Sequence, residues 1–322
     1  MATQPSNVRR RRGPFVLLVV ALAALLAMTI TFLVNQSSGV APANSSNGVV
    51  NAVAAENEYA NVLSQIGGKY VKVTAILSNP NTDPHTFEAS PSIAQAVGSA
   101  QLIVQNGVGY DSFMNNIEAA SASSTRKVIV VQRVLGLPDK TPNPHFWYKP
   151  STMSAVASVM AGDLAKIAPR HRAYFQSRLT AFDASLQPWL NAIASFKAKY
   201  HGVKVAVTEP VADYLLSAMG ADILTPFVFQ SDVMSGVDPS PEDITLEKGF
   251  FTTHEAKVFC YNQQVVSALT VSIRQSAQSN HVPVVGVYET MPTPGYDYQT
   301  WMLAEVNAIQ RAVVLHTSTQ KL

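Results

Sequence analysis

The sequence predicts an α/β protein of two lobes, each with a central, mostly parallel β-sheet flanked by helices, joined by one long rigid α-helix. Three observations predict it. Strand-like and helix-like segments alternate from residue 49 onward, residues 169–200 interrupt that alternation with a glycine-free stretch of helical periodicity, and the alternation then restarts. The expected organisation is an export leader or signal anchor with its linker over 1–47, a first lobe over 48–168, a connecting helix over 169–200 and a second lobe over 201–322.

The chain has 322 residues, 47% apolar and only 14% charged. Much of the apolar excess sits in PFVLLVVALAALLAMTITFLV, which follows Arg9 to Arg12 and precedes the polar stretch NQSSGVAPANSSNG. Basic, apolar and small-residue segments in that order mark an export leader. The run is also just long enough to span a bilayer, which takes about 20 residues. Cleavage near Ala41 to Ala43 and retention as a membrane anchor therefore both stand as expectations. Arginines ahead of the run place Asn35 onward outside the cytoplasm, on the periplasmic or extracellular face. The single cysteine, Cys260, lies far from the leader, so lipid attachment there, an intrachain disulfide and a Cys-rich metal site are excluded. The formal charge of +2 derives partly from the leader arginines, and the near-neutral body does not suggest a nucleic-acid binder.

In the body, VVNAVAAE reads as a strand, ENEYANVLSQIGG as a helix stopped by Gly67 and Gly68, and KVTAIL as a second strand. This is the repeating unit of a parallel sheet. A helix follows from Pro91, with Ser90 at its N-cap, then the strands LIVQNG and KVIVV. From Pro169 to Tyr200, Tyr174, Phe175, Leu179, Phe182, Leu186, Leu190, Ile193 and Phe196 recur three and four apart, which predicts one long amphipathic helix. Pro188 is expected to kink it or leave one hydrogen bond unmade. The second lobe reads as the strand VKVAVT, a short helix from Pro210 to Met219, a helix opening at SPEDI, the strand KVFCYN, a helix from Gln263 to Ser279, the strand VPVVGVYE and a last helix from about Tyr298 to Val314.

Ligands of such folds gather where loops leave the carboxyl ends of parallel strands. His85, in DPHTFE, follows KVTAIL, and His145, in NPHFWY, follows KVIVV. Glu209 directly follows VKVAVT, and Glu289 ends VPVVGVYE. Two neutral imidazoles and two carboxylates carry a summed charge of −2, which one divalent cation neutralises. That donor set suits Mn²⁺, Fe²⁺ or Zn²⁺ and is too nitrogen-rich for a dedicated Ca²⁺ or Mg²⁺ cage. Taken singly, each residue also has an ordinary reading as a surface histidine or a solvated helix-start acid. Phe146, Trp147 and Tyr148 are expected to be packing residues, Cys260 a small buried residue, and His171, His201, His254, His281 and His316 structural or exposed. Asp213 is a candidate supporting group behind the site.

From Val49 to Val314 the chain resembles the solute-binding proteins of bacterial zinc/manganese ABC transporters. The resemblance rests on QIGGKYVKVTAIL followed by DPHTFEASPS, on LIVQNGVGYDSF, NPHFWYKPSTM and the long central helix, and on DPSPEDI, VFCYN and VPVVGVYET, all in the family's order. It implies His85, His145, Glu209 and Glu289 as metal ligands, with two from each lobe, and a monomer that captures one divalent metal ion outside the membrane and hands it to an ABC permease. Zinc-type members usually place a third histidine at the position of Glu209 and often carry a His-rich loop. Neither is present here, and the usual fourth ligand, aspartate, is replaced by Glu289. Because glutamate can bind through two oxygens and raise the coordination number, Mn²⁺ is expected ahead of Zn²⁺, with Fe²⁺ third. A site filled by four protein ligands implies no catalysis. The alternatives from other classes are a surface adhesin and a metal-dependent hydrolase with Glu209 or Glu289 as general base.

Overall fold

The computed structural model describes residue 1 and residues 48–81 and 84–322. The expected leader, and Asp83 of the first Pro-His motif, lie outside the described residues. Among the described residues, no helix is long and apolar enough to cross a membrane.

The first lobe runs β1 (Val50–Glu56), α1 (Asn57–Gly67), β2 (Val71–Leu77), α2 (Pro91–Ser99), β3 (Leu102–Gln105), α3 (Phe113–Ala120), β4 (Lys127–Val130), α4 (Val131–Val134) and α5 (Thr152–Ile167). Then come α6 (Arg172–Ser185) and α7 (Gln187–Tyr200). The second lobe runs β5 (Lys204–Val207), α8 (Asp213–Ala218), β6 (Asp222–Ile223), α9 (Phe227–Met234), α10 (Pro241–Thr252), β7 (Val258–Asn262), α11 (Ala268–Ser279), β8 (Val284–Val287) and α12 (Tyr298–Leu315).

Each lobe holds a four-stranded sheet, ordered β2-β1-β3-β4 and β6-β5-β7-β8, and every strand pair is parallel. The strand sequences are rich in Val, Ile and Ala, and β3, β7 and β8 are buried along their whole length, as strands covered by helices on both faces must be. In both sheets the order steps outward in two directions from the first strand, which creates a crevice at the carboxyl edge.

The expected single connecting helix is two helices that meet at Leu186. Pro188 has no N–H to give the Ala184 carbonyl, and its ring crowds that oxygen, so the ladder breaks one turn before the proline. Leu186 itself keeps a right-handed helical conformation (φ −76°, ψ −18°) and accepts the amide of Leu190 at 3.1 Å. Residues 169–171 form a separate 3₁₀ turn ahead of α6.

One hydrophobic core unites the two lobes. It runs from Val50, Leu102 and Ile129 through Phe175, Trp189 and Phe196 to Val205, Cys260, Val285 and Trp301. The lobes are also stitched by buried hydrogen bonds: Asn57 exchanges a pair with the Met291 backbone at 2.9 Å each way, Tyr298 donates to the Trp147 carbonyl at 2.6 Å, and Asn143 donates to the Pro210 carbonyl at 2.7 Å.

Candidate metal centre

Parallel topology carries four predicted residues to the facing carboxyl edges. His85 sits in a 3₁₀ turn beyond β2, His145 just before the turn Phe146–Tyr148, Glu209 two residues past β5, and Glu289 two residues past β8. The donor atoms of His85, Glu209 and Glu289 lie within 4.8 Å of one another. His145 joins this group through Glu289, whose Oε2 is 3.3 Å from His145 Nε2 and 3.3 Å from His85 Nε2. A tetrahedral ion with bonds of about 2.1 Å keeps its ligand atoms about 3.4 Å apart, so these two spacings need little adjustment. The side chains of His145 and Glu289 are wholly buried, and that of His85 retains 30% exposure.

The hydrogen-bond network fixes what each group offers. Asn143 uses Nδ2 on the Pro210 carbonyl, so its Oδ1 is an acceptor, and it takes both the backbone N–H and Nδ1 of His145 at 2.9 Å. This assigns the proton of a neutral His145 to Nδ1 and turns the Nε2 lone pair toward Glu289. In that neutral form a lone pair faces a carboxylate oxygen at 3.3 Å, a repulsion relieved either by a proton on Nε2, which makes a His145–Glu289 ion pair, or by a metal ion bound to both. An outer N–H held by a second residue is the support that metal-ligating histidines receive.

Burial by itself raises the carboxyl of Glu289, but when no metal is bound, hydrogen bonds and positive charge from His145 and His85 in their protonated form outweigh it and hold the group below the usual carboxylate range. Tyr110 donates to Glu289 Oε2 at 3.0 Å, and burial followed by the charge of Glu289 pushes its phenol well up, so it remains a donor. Its ring meets those of His85, His145 and Trp147 edge-on, at centroid distances of 5.7, 5.9 and 5.2 Å. The loop that delivers Tyr110 carries positive φ at Gly107, Val108 and Gly109 and is tied by Asp111, which accepts the amides of Asn106 and Gly107 at 2.6 and 3.0 Å. A β-branched residue at φ 49° is strained, and such strain clusters at functional sites.

On the opposite side, Asn262 ends β7 and donates through Nδ2 to Glu289 Oε1 at 2.7 Å and to Glu209 Oε1 at 3.2 Å. Gln264 accepts the backbone amides of Glu289 and Thr290 at 2.5 and 2.8 Å, which pins the Glu289 main chain. These contacts account for a missed boundary. The helix expected from Gln263 begins at Ala268, after a Ser267/Thr270 capping box, because Gln263 gives its amide to the Val287 carbonyl and Gln264 bends to hold the Glu289 loop. The helix expected from Pro210 likewise opens with a 3₁₀ turn, Pro210–Ala212, before α8.

The remaining candidates fall outside the centre. Phe146, Trp147 and Tyr148 are fully buried packing residues, although Trp147 also walls His145 at 5.4 Å. His254, His281 and His316 occupy left-handed positions just beyond helix C-termini, and His171 stacks on Tyr70. Asp213 faces Gln230, and burial raises its carboxyl to about 7. Cys260 is buried in β7, where desolvation pushes its thiol up. Asn143, Tyr110, Asn262 and Gln264 were not singled out from sequence.

Residues 52–312 match the family model of the zinc-uptake complex component A, periplasmic (ZnuA). The chain belongs to this family. Its members are metal-binding components of uptake systems and not enzymes. The manganese-binding lipoprotein MntA of Bacillus subtilis is 26% identical over 141 residues, which is 42% of this chain and 45% of the relative. The zinc-binding protein TroA of Treponema pallidum is 26% identical over 128 residues, 38% of this chain and 41% of the relative. The matched region thus spans less than half the length of both relatives. The solved structure of TroA superposes with a TM-score of 0.69 at 18% identity and covers 84% of this chain and 100% of that one. The SBP FpvC from Pseudomonas aeruginosa in complex with Mn²⁺ gives 0.67 at 19% identity, over 82% and 98%. The two-lobe α/β architecture expected from sequence is therefore that of the ZnuA/TroA fold.

Proposed function

We propose that His85, His145, Glu209 and Glu289 ligate one divalent transition metal, which the protein captures outside the cytoplasm and delivers to an ABC permease. The observation that carries this reading is the approach of two imidazole Nε2 atoms to one oxygen of the buried Glu289, 3.3 Å in each case. The two carboxylates neutralise a dication, and imidazole with carboxylate admits Mn²⁺, Zn²⁺ or Fe²⁺, with Mn²⁺ favoured where glutamate binds through two oxygens. His85, the exposed member, is the side from which the ion enters and leaves.

The shared core and the buried bonds between the lobes favour small local movement over wide hinge opening. Release then proceeds by displacement of the Glu209 and Glu289 loops. Residues before Gly48 either anchor the body to the membrane through the apolar run or are cut away, and the body acts as a monomer.

Elemental analysis of the protein as isolated, and of His85→Ala and Glu209→Ala, tests the assignment. The wild type is expected to carry about one metal ion per chain and the variants to lose most of it. Full stoichiometric metal in both variants refutes it.

A further inference from the structure

The side-chain amide of Asn262 touches both glutamates of the centre. Its orientation is unambiguous, because Oδ1 accepts the backbone N–H of Gln264 at 3.0 Å and so turns Nδ2 toward the carboxylates. The backbone of Asn262 is itself fixed by donation to Thr208 Oγ1 at 3.0 Å, one residue before Glu209. From this rigid post the amide reaches Glu289 Oε1 at 2.7 Å and Glu209 Oε1 at 3.2 Å. The other oxygen of Glu289, Oε2, is the one that faces both imidazoles and receives Tyr110. The two oxygens of Glu289 are thus sorted: Oε1 toward the protein floor, Oε2 toward the histidines.

We propose that Asn262 is a selectivity-setting positioning residue, which draws Oε1 of Glu209 and Glu289 onto one amide and thereby limits each carboxylate to a single metal bond. The inference rests on the metal-carrier reading above and deepens it. A centre so held offers four protein donors, two nitrogens and two oxygens, the number that Zn²⁺ prefers. Mn²⁺ favours six donors, and the carboxylate chelation that would supply them is the mode Asn262 opposes. The wild-type centre therefore discriminates for Zn²⁺ against Mn²⁺. This reverses the order expected from the presence of two glutamates alone, because what each glutamate can offer depends on its hydrogen-bond partner.

The test is competitive titration of the metal-stripped chain with Zn²⁺ and Mn²⁺, together with X-ray absorption spectra of each loaded form. Asn262→Ala is expected to shift the ratio of the two dissociation constants about 10- to 100-fold toward Mn²⁺, the range typical of outer-shell partners. Tyr110→Phe removes a donor from Oε2 but leaves Oε1 engaged, so it is expected to change both affinities by the same factor. In the wild type, both metals are expected to show four protein donors. Equal losses of Zn²⁺ and Mn²⁺ affinity in Asn262→Ala, an unchanged ratio, or six protein donors around wild-type-bound Mn²⁺ each overturn the proposal. The spectra of the wild type decide the matter even if Asn262→Ala does not fold. A wild type that binds neither ion instead refutes the carrier reading itself.

Discussion

Glu305 provides a quantitative prediction about the core that supports the centre. Its carboxyl is fully buried on α12, where Oε1 accepts from Trp301 Nε1 at 3.1 Å and from Tyr148 at 3.3 Å. Tyr148 shares that one hydroxyl proton with the carbonyl of Tyr288, next to Glu289, which lies nearer at 2.9 Å. Burial, only partly offset by those two donors, raises the Glu305 carboxyl from 4.5 to about 8. A raised carboxyl keeps its proton in the folded state while the unfolded chain gives its own up. Stability from this group is therefore intact below about pH 4.5, falls as pH rises, and levels off above about pH 8. At about 1.36 kcal/mol per pKa unit, the contribution lost between pH 5 and pH 8 is on the order of 3 kcal/mol. Glu305→Gln keeps an acceptor for Trp301 and Tyr148 and does not titrate. Urea unfolding of metal-free wild type and variant across pH 5 to 8 should show the wild type losing roughly 3 kcal/mol relative to the variant over that range. The absolute offset between the two absorbs the packing of the new amide, whereas the difference in slope isolates the carboxyl from Glu247 and Asp213, which remain in both proteins. Parallel pH profiles would refute the reasoning.

Other outcomes follow from the same structure. Asn143→Ala strips His145 of its Nδ1 partner and should weaken metal binding about 10- to 100-fold by titration; unchanged affinity would show that His145 is not held as a ligand. It should also cost about 1–3 kcal/mol in metal-free urea unfolding, because the Pro210 carbonyl loses its buried donor. Trp147→Ala should cost about 3–5 kcal/mol in the same assay by opening a cavity. Trp147→Phe should cost far less, because the indole Nε1–H is buried with no partner among the described residues. Lowering the pH from about 7.5 to 5 should release the metal, read by elemental analysis after dialysis, because both imidazoles must be unprotonated to bind. Glu289 is held below the usual carboxylate range and stays ionised through this window, so metal retained equally at both pH values would place the ion away from the histidines.

The fold was legible because its signals are local and repeated. Buried parallel strands write themselves as Val- and Ile-rich runs, and helices as three-and-four spacing, so β1 to β5, β7 and β8 emerge from the sequence with small boundary errors, whereas the two-residue edge strand β6 is too short to leave a pattern. The break at Leu186 was half legible, since Pro188 announced a defect but not on which side the ladder would part. Glu209 and Glu289 were visible because each closely follows a strand segment, and His85 and His145 because each follows a proline in a loop beyond a strand. Asn143, Tyr110 and Asn262 were not, because polar residues in loops or at a strand end give no pattern of their own, and their meaning lies in partners 67, 179 and 27 residues away. Asn262 was the most accessible of them, as a polar side chain closing the apolar strand VFCYN at the edge where the ligands gather. The late start of α11 has the same origin: Gln263 and Gln264 are good helix formers whose propensity is overridden by bonds to the Glu289 loop.

The central claim is that one ion sits among two histidines of the first lobe and two glutamates of the second. A crystal structure of the metal-loaded protein, with anomalous scattering collected at the Zn²⁺ and Mn²⁺ edges, tests it most directly. A single strong anomalous peak is expected at bonding distance, about 2.0–2.2 Å, from His85 Nε2, His145 Nε2 and one oxygen each of Glu209 and Glu289. A peak elsewhere, or one that omits either the histidines or the glutamates, would contradict it.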